Sequence, residues 1–416
     1  MNNVLFISDA FTNGGLETRL EEQILFYKKH NINSYIICND FNKKYDRLFK
    51  ETITGINFYP GVEGRISALL NQIKTIEDFC WKNKIDYIDC HPFWGATAGI
   101  MAANRLGIPI SLTQHGQPSF NFISKCDYGM EAIYRIAYIF GLDYIFIVSE
   151  ALREKVFAQN KKKTFLARNG LDTSKIPMRQ NITFAKCGTW ALVSRLDDIK
   201  GKLILDYLPK LLRTNNIKKL VIIGDGSYTA QLNKFIVDNK LENIVILTGW
   251  KPSPIEYINN NIFDGVIGMG RCIIEAASYD YPSIIMGYYG KLTPLCKKNA
   301  KYSADRNFAN YDINNSEDYN HIFDRIYKNP KKYQISSQIR NLTNSSNIWK
   351  EYLYRVQTPV YNNKNNIDLL DDFLSKNNNL LILKDNEKII RKLREHYAGN
   401  KKVLSIINDV ERSVKR

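Results

Sequence analysis

Residues 265–286 read GVIGMGRCIIEAASYDYPSIIM. An apolar run from Gly265 to Ile267 enters a glycine-rich turn at Gly268 and Gly270. A helix is predicted from about Arg271, and Ser283-Ile284-Ile285-Met286 is the next apolar run. Short apolar runs separated by helices are the repeating unit of a parallel sheet covered on both faces. Working backwards, Ile244-Val245-Ile246-Leu247, Leu220-Val221-Ile222-Ile223 and Trp190-Ala191-Leu192-Val193 continue the series, each separated by a helical segment. An earlier series has the same rhythm: Val4 to Ser8, Ser34 to Cys38, Tyr87 to Cys90, Ile108 to Leu112 and Tyr144 to Val148. Ile66, Leu69, Ile73, Ile76 and Phe79 fall at helical spacing between them.

The chain therefore divides into two doubly wound halves, with the boundary in the polar stretch around Asn169 to Phe184. The predicted domains are 1–180, 181–356, and 357–416, the last an Asn-rich linker and a basic helical tail. In the tail, Ile389, Ile390, Leu393 and Tyr397 share one helical face, and Val403, Ile407, Val410 and Val414 another. From Lys384 to Arg416 ten basic residues stand against five acidic ones. Such helices pack on the body or on a sister subunit, giving a homo-oligomer, or dock on an anionic membrane surface.

Composition bounds the class. Of 416 residues 44% are hydrophobic and 24% charged, which excludes a disordered chain and a fibrous protein and suits two domains. With Lys plus Arg at 58 and Asp plus Glu at 42, the net charge is +16, and such a surface attracts anions. The seven cysteines, at 38, 80, 90, 126, 187, 272 and 296, form no C-x-x-C pair, so free thiols in a reducing compartment are expected. MNNVLFISDAF reads as a first core strand and not as a secretion signal. The most apolar stretch, Ile133 to Leu152, is broken by Arg135, Asp143 and Glu150, so no membrane span is expected. A cytoplasmic location is predicted.

In open α/β sheets, ligands bind beyond the carboxyl ends of the strands, and the chemistry is sought there. At Gly268-Met269-Gly270-Arg271 the backbone offers a helix N-terminus to a phosphate, Arg271 adds a cation, and Glu275 one turn on suits ribose hydroxyls. A third glycine would be needed at Ile273 for the dinucleotide fingerprint, which disfavours NAD. A second group is Ser194-Arg195 with Lys200-Gly201-Lys202, where two cations would stabilise a diphosphate leaving group without a metal. A third is the glycine turn Asn13-Gly14-Gly15 opening a helix. A fourth is Thr113-Gln114-His115-Gly116-Gln117 at a strand end. His91 also closes a strand, and core packing is its plainer reading. Gly224-Asp225-Gly226-Ser227 is a fifth strand-to-helix turn. For each glycine turn, tight turning with no ligand is the plain alternative. No D-x-D, nucleophile elbow or P-loop pattern is present, so no metal site is expected.

In this order and spacing the segments resemble the two-domain glycosyltransferases of the GT-B fold, specifically the retaining family 4 group. The segments are GGLETRLEEQILFYKKHNINSYII, ANRLGIPISLTQHG, IFIVSEALREKV, ARNGLD, LVSRLDDIKGK, LVIIGDGS, NIVILTGW and GMGRCIIEAASYDYPSIIMG, over about residues 3 to 290. The resemblance implies an α/β fold of two Rossmann-like domains facing a cleft, and metal-independent transfer from a nucleotide diphosphate sugar, a UDP-sugar by preference. It implies a glycan or glycolipid acceptor, such as lipopolysaccharide, O-antigen or capsule, reached at the inner face of the membrane. It makes His115, Arg195 and Lys200 the catalytic set. Gly14, Gly15, Gly226, Gly249, Trp250, Met269, Gly270, Arg271 and Glu275 become the donor site, with Gly249 and Trp250 near the base. One departure stands out. The family's first glutamate, eight residues before the second, is replaced by Ile267. That departure motivates the alternative of a non-catalytic glycosyltransferase-like subunit binding a glycan or partner enzyme. No nucleic-acid reader motif is present, so no nucleic-acid partner is expected.

Overall fold

A computed structural model describes the chain except residues 13, 59–65, 117–127, 177–183, 289–290, 310–317, 358–364, 381–384 and 415–416, and the side chain of residue 414. Asn13, Gln117, Cys126 and the side chain of Val414 thus lie outside the described residues. The chain forms two compact units, one of Met1–Ala167 with Asn347–Arg416 and one of Arg168–Ser346.

The first unit begins β1(Asn3–Ile7), β2(Ala10–Phe11), α1(Gly15–Lys29), β3(Asn33–Ile37), β4(Asp40–Phe41), β5(Thr52–Ile53) and α2(Ile66–Asn83). It continues β6(Tyr87–Cys90), α3(Gly95–Leu106), β7(Ile110–Gln114), α4(Tyr128–Gly141), β8(Tyr144–Ile147) and β9(Thr164–Leu166). Seven strands form one sheet in the order β5-β3-β1-β6-β7-β8-β9, all parallel. Alternation along β1 shows why both faces are covered. Leu5 and Ile7 enter one apolar cluster, with residues of α2, α3 and α4, while Val4 and Phe6 enter another on the opposite face with α1. Fully burying each such side chain stabilises by about 1.5–3 kcal/mol.

The second unit runs β10(Thr189–Val193), α5(Asp198–Leu212), β11(Lys219–Ile223), α6(Thr229–Asp238), β12(Val245–Leu247), α7(Pro254–Asn259), β13(Gly265–Gly268) and α8(Arg271–Ser278). There follow β14(Ser283–Met286), β15(Leu292–Pro294), α9(Ala300–Ala304), α10(Tyr319–Lys328) and α11(Ser336–Thr343). Its sheet order is β12-β11-β10-β13-β14-β15, parallel except for the antiparallel edge strand β15. Trp190 and Leu192 enter one cluster, Ala191 and Val193 the other.

The end of the chain differs from its sequence reading. After α12(Ser345–Val356) come α13(Asn365–Lys376), α14(Asn386–His396) and α15(Lys401–Val414). Much of the expected linker is therefore the helix α13, and no separate tail domain forms. Ile389, Leu393, Tyr397, Val403, Ile407 and Val410 are buried in the first unit's own core, beside Ile133 and Ile136 of α4. These are the faces that the sequence reading offered to the body or to a sister subunit, and this unit's own body covers them. Polar ties explain the fit. Ile66 and Ser67, opening α2, donate N–H groups to the carbonyls of Leu380 and Asn378 at 3.0 Å each. Arg105 of α3 donates to Asp371 at 2.8 Å, and Gly129 N–H of α4 donates to Asn386 Oδ1 at 2.7 Å. Sequence spacing reveals an apolar face but not which surface covers it. Among the described residues, no helix is long and apolar enough to cross a membrane.

Candidate functional site

In the second unit the chain steps from β10 to β11 on one side and returns to β13 on the other, so the β10/β13 boundary is a topological switch point. Ligands of open α/β sheets bind at the carboxyl ends there. The residues leaving β10 are Ser194, Arg195, Leu196 and Asp197. Asp197 caps α5, its carboxylate accepting the Lys200 N–H at 2.8 Å. Arg195 is 65% exposed and lies 3.5 Å from Asp197. Lys200 follows in the first turn of α5, half-buried. Burial, and then the like charge of Arg195, lower the pKa of its ammonium. An anion between these two cations would relieve both effects.

This loop is held by glycines from the neighbouring turn. A Cβ on Gly224 would lie 1.8 Å from Ser194 O, and one on Gly226 would lie 2.5 Å from Leu196 O. Leu196 N–H donates to Asp225 O at 2.9 Å, and Tyr228 N–H donates to Leu196 O at 2.8 Å. Gly201 in turn leaves room for Tyr228, whose Cβ would be 2.3 Å from a Cβ there. Gly226, predicted as a donor contact, therefore serves to bring two backbones together. Gly249 accepts the Gly224 N–H at 3.1 Å, and Trp250 beside it is 59% exposed.

After β13, only Met269 and Gly270 separate strand from helix. Gly270 is the N-cap of α8 with no side-chain cap, so the helix presents an uncapped positive dipole end. The Gly270 N–H itself donates to Phe308 O at 3.0 Å. Met269, predicted as a donor contact, buries its side chain in the core beside Ile267, so only its backbone faces the turn. Arg271 donates from Nε to Glu275 at 2.8 Å and from Nη1 to Gly170 O at 3.2 Å. The two predicted ligand contacts are thus partners of each other in this structure. Cys272, which the sequence reading passed over as a site residue, donates to Val193 O at 3.4 Å and Met269 O at 3.3 Å. Burial pushes its thiol up to about 11, against the pull of Lys200, so it stays protonated at neutral pH. Tyr288 beyond β14 lies near enough to Asp197 and Arg195 for both to act on its hydroxyl, whose pKa burial raises.

Ile267 is fully buried in β13, paired with Leu192 and Ile284. The position eight residues before Glu275 is therefore inside the sheet, where its side chain lies in the core.

In the first unit the corresponding switch point lies between β1 and β6, since β3 flanks β1 on the other side. Gly14 is the N-cap of α1. Glu17 folds back over this turn, accepting the Thr12 N–H at 3.0 Å, and a Cβ on Gly14 would lie 2.8 Å from its other oxygen. A carboxylate thus already stands where the resemblance brings a diphosphate, while nothing lies within 4 Å of a Cβ built on Gly15. His115 follows β7, half-buried. Its Nε2 lies 2.8 Å from Nδ1 of His91, the fully buried residue that follows β6. His91 is thus joined to the candidate site, which its strand-end position alone did not reveal. Behind it Asp89, fully buried, accepts from Gln23 at 2.9 Å, Tyr352 at 2.8 Å and Ser111 at 3.0 Å. The signal was available: a carboxylate inside the apolar strand Tyr87-Ile88-Asp89-Cys90 must be paired. Among the described residues, no cluster of His, Cys, Asp and Glu could hold a metal ion.

No protein-family model matches the chain. Among curated proteins it is 20% identical over 294 residues to the lipopolysaccharide 1,6-galactosyltransferase of Escherichia coli (strain K12), covering 68% of this chain and 78% of that one. Among solved structures it resembles Anabaena HepE in complex with UDP and glucose, with TM-score 0.63, 15% identity and coverage of 86% of this chain and 100% of that one. HepE has also been solved with UDP and with UDP-glucose. The lipopolysaccharide outer core galactosyltransferase WaaB, in its apo form, matches with TM-score 0.51 and 15% identity over 94% of this chain and 99% of that one. At these identities the likeness shows the fold, and it is the α/β fold of the GT-B glycosyltransferases.

Proposed function

We propose that this chain is a glycosyltransferase that moves a sugar from a UDP-sugar to lipopolysaccharide or a similar cell-surface glycan, with retention of anomeric configuration. The observation that carries this reading is the pairing of Arg195 and Lys200 with the uncapped N-terminus of α8 at one switch point. Three sources of positive potential converge where a diphosphate would lie. The ligands of HepE and the activity named for the Escherichia coli relative support the choice of UDP-sugar and of lipopolysaccharide.

Arg195 and Lys200 take up the charge that develops on the leaving UDP, with no metal needed. Glu275, once exchanged from Arg271, accepts the ribose hydroxyls, and Trp250 offers an exposed ring to the base. The acceptor hydroxyl attacks from the face the UDP leaves, and its proton passes to the departing phosphate, so no nucleophile of the chain is used. The basic surface favours work at an anionic membrane face.

Calorimetry with UDP, GDP, dTDP, CDP and ADP tests the donor site. UDP binding that weakens in Glu275→Ala is expected, and no binding of any nucleotide would refute the site. Incubation with UDP-glucose or UDP-galactose and lipopolysaccharide, with NMR of the product's anomeric carbon, then tests transfer and retention. Nucleotide binding without transfer would point instead to the non-catalytic subunit.

A further inference from the structure

The turn between β13 and α8 is met by a second stretch of the same unit. Past α9, Asn307 and Phe308 both take left-handed backbone, at φ 52° and 50°. Their N–H groups donate to Ala304 O at 3.0 Å and Ser303 O at 2.7 Å, which closes the helix. Left-handed backbone is tolerated by asparagine and costly for phenylalanine. It sets the placement of this stretch. Phe308 buries its ring, and its carbonyl accepts the Gly270 N–H at 3.0 Å. The Asn307 carbonyl oxygen lies 3.9 Å from a Cβ built on Gly270.

The Asn307 side chain belongs to an amide pair. Asn169 Nδ2 donates to Asn307 Oδ1 at 2.9 Å. Asn169 adjoins Gly170, whose carbonyl accepts from Arg271 Nη1 at 3.2 Å. The pair therefore borders the first turn of α8, and all of these residues belong to the second unit. Such a pair has two orientations. In the one observed, Asn169 keeps its Oδ1 buried without a partner. Turning both amides over would instead bury the Asn169 NH2 with neither proton donated. A buried oxygen without a bond is the more readily tolerated of the two, so the observed orientation is favoured. It holds the Asn307 amide with its oxygen toward Asn169 and its donor end, Nδ2, turned away.

We propose that Asn307 is a further donor-site residue, whose Nδ2 donates to an oxygen of the β-phosphate that carries the sugar, and that Asn169 is the positioning residue that keeps this end outward. The ligand class rests on the glycosyltransferase reading; the orientation of the amide pair does not. A phosphate oxygen only accepts, so it fits the nitrogen end of an amide and is repelled by the oxygen end.

Calorimetry of the full chain with UDP, UMP and inorganic pyrophosphate tests the contact. Asn307→Gly suits the left-handed backbone and removes only the side chain. It is expected to hold the melting midpoint near wild type, to weaken UDP and pyrophosphate about tenfold, and to leave UMP nearly unchanged. Asn307→Asp, also suited to that backbone, sets a carboxylate toward the phosphate and is expected to weaken UDP further. Asn169→Asp can only accept, so it draws Asn307 Nδ2 inward and turns Oδ1 out. It is expected to weaken UDP in the wild-type background and to do so far less in Asn307→Gly.

Unchanged UDP affinity in Asn307→Gly would overturn the proposal, as would equal weakening of UMP and UDP. An Asn169→Asp effect of the same size in both backgrounds would remove Asn169 from its positioning role. Pyrophosphate that binds through Asn307 in a chain taking no nucleotide would refute the functional reading and leave the anion contact standing. A chain that binds neither UDP nor pyrophosphate would refute both.

Discussion

Ser194 and Gly224 meet backbone to backbone: a Cβ on Gly224 would lie 1.8 Å from the Ser194 carbonyl oxygen. The contact is between two main chains, neither of which can swing aside. It sets the path of the loop that carries Arg195. Gly224→Ala, at φ +150°, is therefore expected to destabilise the second unit by about 2 kcal/mol or more and to weaken UDP binding with it. Thermal melting with and without UDP checks both effects.

Arg195 makes the opposite case. Its guanidinium is mostly exposed and its ion pair to Asp197 is 3.5 Å long. Such pairs contribute about 0–1 kcal/mol. Arg195→Ala is expected to leave the melting midpoint nearly unchanged and to lower transfer by roughly a hundredfold, through loss of leaving-group stabilisation. Steady-state kinetics beside a melting curve decide it, and wild-type turnover would remove Arg195 from the mechanism.

Ile267 stands where the resemblance to the retaining family 4 group would place a glutamate. Introducing one by Ile267→Glu would put a carboxylate between Leu192 and Ile284. An unpaired buried charge costs several kcal/mol, so the variant is expected to lose about 3 kcal/mol or more and to gain no activity. Urea denaturation provides the measurement.

His91 predicts a pH dependence. Burial lowers its pKa from 6.5 to about 4, with Asp89 opposing and Arg19 assisting. His115, packed against it, is lowered as well. The unfolded chain thus binds more protons than the folded one between about pH 6.5 and 4, and stability falls as the pH drops through that window. The His91 contribution is on the order of 3 kcal/mol, fully lost below its folded pKa. Urea midpoints followed from pH 7 to 4 are expected to fall less in His91→Gln than in the wild type.

The alternation of apolar runs and helical spacings carried the fold, because period-two burial along strands such as β1 and β10 is written in consecutive residues. The strand-end turns carried the basic pair, since Arg195 and Lys200 need only follow β10 to stand at the switch point. The α8 start at Arg271 was legible for the same reason: glycine before a helix is local information.

What local information could not decide was partnership. Whether Arg271 and Glu275 would each face a ligand or pair with each other depends on side-chain rotamers one helical turn apart. Whether Gly226 opens a phosphate site or admits Leu196 depends on a loop about thirty residues earlier in the chain. The helices after Gln357 displayed their apolar faces in the sequence, yet only packing on α4 determined that this unit's own core covers them. His91 and His115 are 24 residues apart, and Asp89 meets Tyr352 across 263. Hydrophobic periodicity is local and survives in the sequence; a hydrogen bond between distant strands exists only once the sheet order brings their ends together.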